Sequence, residues 1–341
     1  MKKLLSLLLA ATLLFSLLSV FTACAEPDDH VTKIAYLSGS TGVGMAKMIA
    51  DNADNAAYEF IGDFSAPTTL LPELMTPDCD IDIAALPTQA AAQLYNKTDG
   101  RYKVICINTL GVLYIATSGV AVTSLYDLIG KTVYVPEVAP GYVLEYVLEQ
   151  NGIPVRKSAT DTIPASDAVT FDTQYNLDSL PGMLANGNVQ IGLLPEPKLT
   201  ATQITATQKG NTVKAAIDLT EEWDKVSDTE LVQGCLVAST DYIENHSGLL
   251  KNFLSEYEGS IEYMDNSDNL ENAASLAVAA NILPKLPVAK QAIPRCNIDY
   301  VDGDDMKEAL AAYLLILRNK NVTIIGGKLP DDDFYYDANK S

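Results

Sequence analysis

The sequence predicts an α/β protein made of two sheets, joined by a hinge through which the chain crosses twice. The chain has 341 residues, of which 48% are hydrophobic, and about 100–200 residues per domain suggests two domains. Strand and helix patterns alternate in two successive blocks, which is typical of α/β units. A third block is mostly helical and has no sheet of its own to cover.

The first block, residues 31–112, alternates short apolar strands with helices. Lys33–Leu37 is a strand that ends in the polar, glycine-rich loop Ser38–Gly42, and we expect a helix over Val43–Ala57 to follow. The other elements show the same patterns: strands at Tyr58–Ile61, Ile81–Leu86 and Lys103–Asn108, and short helices at Leu70–Met75 and Thr88–Tyr95. This alternation favours a largely parallel sheet.

The second block, residues 113–237, opens with the extended segment Leu113–Ser118. Ser124 and Asp127 then form a capping pattern, and Gly130 ends that short helix. The remaining elements repeat the alternation: strands at Lys131–Val135, Val169–Asp172, Val189–Leu194 and Val213–Leu219, and helices at Gly141–Gln150, Ser179–Ala185 and Lys198–Gln208.

The third block starts with the buried run Leu231–Ser239, after which apolar residues recur at helical spacing. These helices need a sheet to cover, and the first sheet is the simplest choice. We therefore expect a discontinuous first lobe, residues 31–112 plus 238–330, and a second lobe over 113–237. The crossings lie near Leu113–Gly119 and Leu231–Ser239, and 331–341 is an acidic tail whose run Asp331–Asp333 is expected to be solvated.

The first residues predict export. Lys2 and Lys3 precede the seventeen-residue apolar run Leu4–Val20, as in a secretory signal peptide. Thr22 and Ala23 stand directly before Cys24, an arrangement that resembles the lipobox of bacterial lipoproteins, in which the cysteine carries the lipid. We expect residues 1–23 to be removed and 24–30 to form a tether. An uncleaved anchor, or secretion with Cys24 incidental, remains an alternative, because Phe21 stands where aliphatic residues are usual.

The composition excludes several classes of function. There are 44 acidic against 23 basic residues, so nucleic acid is an improbable partner. The four arginines and the net charge of −21 also disfavour long-range capture of anions, so a neutral or cationic solute is favoured.

The two histidines support no catalytic triad, and we expect no metal or cofactor. The four cysteines after Cys24 allow three disulfide pairings, which stay open: Cys79, Cys106, Cys235 and Cys296.

Several motifs together resemble a known family. Leu125–Pro136 (LYDLIGKTVYVP) is similar to the element that starts the second lobe of type 2 periplasmic-binding-like proteins, and Gly141–Ile153 is similar to their next helix. Pro195-Glu196-Pro197 resembles the turn that follows the last strand of that lobe. With the lipobox, this order resembles substrate-binding lipoproteins of ABC transporters, in the branch that binds nitrate, sulfonates or thiamine precursors. The resemblance implies a small-molecule solute and, as partners, an ABC permease and its ATPase.

Candidate ligand contacts lie where strands end and helices begin, because free N–H groups are available there. The first is the loop of Ser38, Gly39, Ser40, Thr41 and Gly42. It lacks the lysine of a phosphate-binding P-loop, and a purely structural turn is its alternative. Thr88 and Gln89 start a helix, where a cap is the alternative. Gly111 and Tyr114 lie in the first crossing, where Tyr114 could instead belong to the core.

The second lobe contributes three further candidates. Gly141 and Tyr142 start its main helix, and Tyr142 offers a flat apolar face and a hydroxyl, or simply packs. Glu196 could pair with a ligand cation or cap the helix that follows. For Arg295 a structural salt bridge is favoured over anion binding.

No residue is assigned to catalysis; an exported enzyme that uses Glu196, or a sensory or scaffold lipoprotein, remains the alternative to a solute-binding protein.

Overall fold

The structure is a computed structural model, and it describes residues 28–64, 66–136, 139–158 and 160–338. The predicted signal peptide, Cys24 and most of the tether lie outside the described residues. The described strands are β1 (Thr32–Leu37), β2 (Tyr58–Phe64), β3 (Ile83–Pro87), β4 (Tyr102–Thr109), β5 (Leu113–Ser118), β6 (Thr132–Tyr134), β7 (Val155–Arg156), β8 (Val169–Asp172), β9 (Ile191–Pro195), β10 (Val213–Asp218), β11 (Gly234–Ser239) and β12 (Ile298–Val301). The described helices are α1 (Ser40–Val43), α2 (Ala46–Asp51), α3 (Pro67–Leu74), α4 (Thr88–Lys97), α5 (Ala139–Gln150), α6 (Leu180–Ala185), α7 (Lys198–Gln208), α8 (Leu219–Asp224), α9 (Thr240–Asn245), α10 (Ser247–Asp265), α11 (Leu270–Ala279), α12 (Leu286–Ala292) and α13 (Gly303–Asn321).

These strands form two six-stranded sheets, which confirms the predicted fold class. The first sheet has the order β12-β4-β11-β3-β1-β2, and the second has the order β10-β5-β9-β6-β8-β7. The chain leaves the first sheet after β4 and enters the second at β5. It returns through α8 and rejoins the first sheet at β11. The two predicted crossings are therefore present, whereas the residue limits of the lobes remain a prediction.

The expectation of a largely parallel first sheet is wrong: the edge strand β12 is antiparallel to β4, and the other antiparallel pairs come from the crossings. In the first sheet β11 runs antiparallel to β3 and β4, and in the second β5 runs antiparallel to β9 and β10. Both strands follow a crossing from the other sheet. Each therefore begins at the end of its sheet where the neighbouring strands finish. The pairs β1–β2, β1–β3, β6–β8, β6–β9 and β7–β8 are parallel, as the βαβ pattern predicts.

Helices cover both faces of each sheet. One apolar cluster joins a face of the first sheet, with α4 and α13, to a face of the second sheet, with α5. A second cluster packs α10, α11 and α12 on the other face of the first sheet. The third packs α6 and α7 on the second sheet. No helix within the described ranges is both long enough and apolar enough to cross a membrane.

Three local expectations need correction. The helix predicted over Val43–Ala57 is replaced by α1 and α2, because the Ser260 hydroxyl lies between them and bonds Gly44 O at 2.6 Å and Met48 N at 2.9 Å. The edge strand β12 was not predicted. The last segment is not simply a solvated tail: Asp331–Asp333 are exposed, but Phe334 is fully buried.

Candidate functional site

The two sheets meet at the carboxyl ends of their parallel strands. The first sheet supplies the loop after β1 and the start of α4 after β3, and the second supplies the turn after β9. At the point of contact the Ser40 hydroxyl donates to the carbonyl oxygen of Glu196 at 3.1 Å. Such strand ends are where open α/β sheets bind ligands. The predicted loop and the predicted Glu196 turn are therefore brought together.

Glu196 and Arg295 form an ion pair between the sheets, here called the junction pair. Arg295 Nη2 lies 2.6 Å from Glu196 Oε1, and the glutamate side chain is fully buried while the arginine side chain is 31% exposed. Thr200, one turn into α7, donates to the same carboxylate from its backbone N at 3.2 Å and its hydroxyl at 3.0 Å. Glu196 thus caps α7, the structural one of its two predicted roles, and Arg295 forms the expected salt bridge.

Burial dominates the electrostatics of this carboxylate. Desolvation raises the pKa of Glu196 above its ordinary value, and the Arg295 guanidinium and the Thr200 donors oppose that shift. The Arg295 guanidinium also lies over the Tyr114 ring, 5.8 Å from its centroid. Burial and the neighbouring Asp218 carboxylate raise the pKa of the Tyr114 hydroxyl. Tyr114 is therefore a buried, protonated donor beside the junction pair.

The hinge itself is closely packed. A Cβ at Gly111 would lie 2.1 Å from Thr220 Oγ1, so the two crossings touch at this glycine. Asn297 donates its side-chain amide to the Gly111 carbonyl. On the second crossing, Asp218 caps α8 by accepting from Thr220 N at 2.8 Å. Gly111 has a structural role here, and Tyr114 lies in a buried strand beside the site.

Uncharged polar groups line the edge of the first sheet beside the loop. Asn108 donates to the Thr41 carbonyl at 3.0 Å and accepts from the Thr109 hydroxyl at 3.0 Å. Gln233 N donates to the Thr109 carbonyl, and Thr88 N donates to the Gln233 carbonyl at 3.2 Å. These contacts connect the loop after β1 with the start of α4. Thr41, Thr88, Asn108, Thr109 and Gln233 are here called the polar edge.

The start of α4 and the hinge each contain a buried hydroxyl with unused hydrogen-bonding capacity. Thr88 is fully buried, and neither Thr88 Oγ1 nor Thr220 Oγ1 has a hydrogen-bond partner within the described part of the chain. Buried polar atoms are almost always paired with protein or with bound molecules. A bound ligand would explain the unpaired hydroxyl of Thr88, which lies at the start of α4 and at the carboxyl end of β3.

Steric constraints explain why glycine stands at two positions of the loop. Gly39 has φ 112° and ψ −168°, a conformation open essentially to glycine alone. A Cβ at Gly42 would lie 2.2 Å from the Leu37 carbonyl. Ser38 is exposed, and its N donates to the Phe64 carbonyl. The loop is thus shaped by its own backbone, whether or not it also binds a ligand.

Tyr142 and Gly141 in α5 and Gln89 in α4 are the remaining predicted contacts. Asn321, at the end of α13, donates to the Tyr142 hydroxyl at 2.7 Å, and Lys157 Nζ lies 5.4 Å from the Tyr142 ring centroid. Gly141 sits within α5, where a Cβ would approach the Pro136 carbonyl at 3.2 Å. This part of α5 therefore packs against α13, while Gln89 is half-buried in the first turn of α4. Their roles in ligand binding remain predictions.

Sequence reasoning missed most of the partners of the predicted residues. Thr200, Asp218, Thr220 and Gln233 come from separate parts of the chain. Only Asn108 and Thr109 carried a usable signal, because two polar residues end an otherwise apolar strand.

Other chemical features do not add to this site. All four described cysteines are free, and Cys106, Cys235 and Cys296 are buried, with thiol pKa values that burial raises. No cluster of metal-ligating side chains occurs in the described ranges. Two open surface pockets of about 360 and 310 Å³ lie between α6 and α7 and between α2 and α10, away from the predicted contacts.

Comparisons with known proteins give a fold but no family. Neither a scan against protein-family models nor a search of curated proteins finds a match. Among solved structures, an ABC transporter protein of Parabacteroides distasonis has a TM-score of 0.70 at 19% identity, covering 91% of this chain and 99% of that one.

Two further structures share the fold. The periplasmic aliphatic sulphonate-binding protein SsuA of Escherichia coli has a TM-score of 0.64 at 15% identity, over 89% of this chain and 92% of that one. A ligand-binding component of an ABC-type import system of Staphylococcus aureus has a TM-score of 0.63 at 15% identity, over 91% of this chain and 97% of that one. These structures confirm the two-lobed fold, and they belong to the group that the sequence motifs resemble.

Proposed function

We propose that this chain is an extracytoplasmic, lipid-anchored solute-binding protein that captures a small molecule between its two sheets and delivers it to the permease of an ABC importer. The observation that carries this proposal is the meeting of the two sheets' strand ends at Ser40 and Glu196, across a hinge that the chain crosses twice. Two bodies joined in this way can open and close around a ligand.

The arrangement suits capture rather than chemistry. Thr88 offers an unpaired hydroxyl to a solute, and the loop after β1 is joined to the same polar edge through Asn108, which donates to the Thr41 carbonyl. Glu196, the residue named above for the alternative of an exported enzyme, binds Arg295 and Thr200 through its carboxylate. A general acid or base needs a free approach to its substrate. The geometry therefore supports binding and release of an unchanged molecule.

The direct test is a thermal-shift screen of the protein as the expressing cell produces it. Compounds should include sulfonates, nitrate, thiamine-like pyrimidines, amino acids and polyamines. A ligand at a hundredfold excess over its Kd adds about 2.7 kcal/mol to the free energy of unfolding, which raises the melting temperature by several degrees. We expect one class to raise it and to be recovered unchanged.

A matched pair of variants locates the binding. Thr88→Val removes the unpaired hydroxyl while keeping its shape, and Thr212→Val makes the same change at an exposed position. We expect affinity to fall about tenfold in the first variant and to stay at the wild-type value in the second. Equal affinity in both would place the ligand elsewhere, and conversion of the bound compound into another would favour an enzyme.

The anchor and the transport partner need their own tests. Cells fed labelled palmitate should label the wild-type protein and retain it in the membrane fraction, whereas Cys24→Ala should be unlabelled and released. Uptake of the bound compound should depend on the protein and on a permease and ATPase. An unlabelled wild-type protein would end the anchor proposal, and uptake independent of the protein would favour a sensory role.

A further inference from the structure

We propose that Glu196 is a specificity-determining residue: by neutralising Arg295 at the junction of the two sheets, it favours an uncharged polar solute over anions at this site. This inference rests on the proposed function, because it concerns what the same site accepts. It contrasts with the structural neighbour whose name states that it binds aliphatic sulphonates.

The first step is the inventory of charge at the junction. Among the described groups that meet there, Arg295 is the one cation, and it lies between the Glu196 carboxylate at 2.6 Å and the Tyr114 ring. Its Nη2 also donates to Thr200, and at 3.4 Å to Gln203. Asp218, beside Tyr114, adds a second carboxylate. The junction is therefore electroneutral or slightly negative before any solute enters.

The cost of burying an anion at the junction depends on the charge that it meets there. A charged group taken from water into a closing cleft must find an opposite charge and further hydrogen bonds. Here the Arg295 guanidinium already neutralises the fully buried Glu196 carboxylate, so an anion that paired with it would compete with Glu196 for the same charge. The Nη2 atom of Arg295 is used within the protein by Glu196, Thr200 and Gln203, whereas its buried Nε has no partner in the described part of the chain and offers a single N–H, which a neutral acceptor can also use.

The start of α4 does not replace the missing cation. A helix N-terminus attracts anions through its free N–H groups and its dipole. The first of these groups, Thr88 N, is already bonded to the Gln233 carbonyl. What remains open at this position is the Thr88 hydroxyl, which both donates and accepts.

Three buried atoms at the start of α4, at the hinge and in the junction pair have no partner in the described part of the chain: Thr88 Oγ1, Thr220 Oγ1 and Arg295 Nε. The polar edge that contains Thr88 consists of threonine, asparagine and glutamine. Such groups recognise amides, hydroxyls and carbonyls, which pair with donors and acceptors alike. The geometry thus points to an uncharged solute that carries several of these groups.

The test compares two isosteric probes, methanesulfonate and the uncharged methanesulfonamide, by calorimetry on the protein as the expressing cell produces it. We expect the wild type to bind methanesulfonamide at least tenfold more tightly than methanesulfonate. Tighter binding of methanesulfonate would overturn the inference but leave solute binding intact. Binding of neither probe also counts against it, and failure of the whole compound panel is what would count against the proposed function.

Variants then assign the effect to the junction pair. Glu196→Gln frees the guanidinium and keeps the shape, so methanesulfonate affinity should rise at least tenfold, and the double variant Glu196→Gln/Arg295→Gln should lose that gain. Glu271→Gln, which breaks the surface pair with Lys290, is the matched control and should bind as the wild type does. A folded Glu196→Gln protein without the gain would overturn the inference; if that variant does not fold, the wild-type comparison of the two probes decides.

Discussion

Glu196 shows how one residue can join local and long-range structure. Its carboxylate caps α7 through Thr200 and at the same time holds Arg295, which arrives from the turn before β12. A buried carboxylate without such partners would be strongly destabilising. The cap explains why a glutamate stands at this turn, and the arginine explains why it can be buried.

The buried carboxylate gives stability a defined pH dependence. Burial raises the pKa of Glu196 above its ordinary value of 4.5, so the folded chain holds this proton more tightly than the unfolded chain. The stabilisation from this proton is complete below the unfolded-state pKa and is lost as pH rises through the folded-state pKa. We expect the advantage of the wild type over Glu196→Gln in free energy of unfolding to shrink as pH rises from 4.5.

Urea unfolding of both proteins between pH 4.5 and 7.5 measures this difference. The glutamine does not titrate, so groups common to both proteins cancel. An advantage that grows with pH would mean that the guanidinium outweighs burial and lowers the pKa of Glu196.

Gly39 gives a prediction about backbone strain. Its φ of 112° and ψ of −168° are disfavoured for any residue with a Cβ, so Gly39→Ala should cost about 1–3 kcal/mol of stability. Gly259, in the middle of α10 with open space around its Cα, is the control, and Gly259→Ala should stabilise by about 0.5–1 kcal/mol. Chemical denaturation of both variants checks the opposite signs, and equal effects would contradict the strain argument.

At the scale of elements, the C-terminal segment completes the first sheet. Tyr336 N donates to the Val104 carbonyl at 2.9 Å, and Tyr335 forms a parallel bridge with Val104 in β4. Phe334 is fully buried, with its ring centroid 5.1 Å from that of Tyr95. The segment thus covers the part of β4 that β12 leaves unpaired.

Removing the Phe334 ring should therefore weaken this docking. We expect Phe334→Ala to cost about 3 kcal/mol, the low end for a buried phenylalanine, because the segment can detach before the sheets unfold. Tyr126→Ala, which truncates a side chain that is 60% exposed, should change stability by less than about 0.5 kcal/mol. Urea denaturation gives both values, and limited proteolysis should cut the tail of the first variant sooner. An uncleaved tail would mean that the backbone bonds hold it alone.

The elements that could be predicted are those whose signals are local. The strands β1, β3 and β4 are continuous apolar runs and lie close to their predicted positions, and the helical spacing of the third block corresponds to helices that include α10 and α13. The break between α1 and α2 could not be predicted, because Ser260 comes from a helix about 210 residues further along the chain. The strand β12 and the docked tail likewise depend on a neighbour, β4, that supplies their hydrogen bonds.

At the scale of the whole molecule, the two crossings were predictable, but the contacts between the segments that they bring together were not. A helical block without a sheet requires the chain to return, so the discontinuous arrangement follows from the sequence pattern. Only part of the site could be predicted: strand ends marked Ser40 and Glu196, whereas Arg295 reaches Glu196, and Thr220 reaches Gly111, from distant segments. Contacts between segments far apart in the chain leave no local pattern.

The last prediction concerns the hinge. Gly111 lies on the first crossing and Thr220 on the second, and a Cβ at Gly111 would lie 2.1 Å from Thr220 Oγ1 and 2.9 Å from Thr220 Cγ2. Gly111→Ala should therefore wedge the crossings apart and cost about 1–3 kcal/mol of stability. Because Glu196 N donates to the Val112 carbonyl beside this point, its amide should exchange hydrogen faster in the variant.

The double variant Gly111→Ala/Thr220→Ala tests the cause. It removes the two closest atoms, and the Thr220 Cβ that remains lies 3.0 Å from the new Cβ, so protection of the Glu196 amide should largely return. Hydrogen exchange measured by mass spectrometry on the peptides around Val112 and Glu196 compares the three proteins. If the single variant is as protected as the wild type, the Thr220 side chain rotates away from the new methyl group, and the packing of Gly111 against Thr220 does not hold the Glu196 amide.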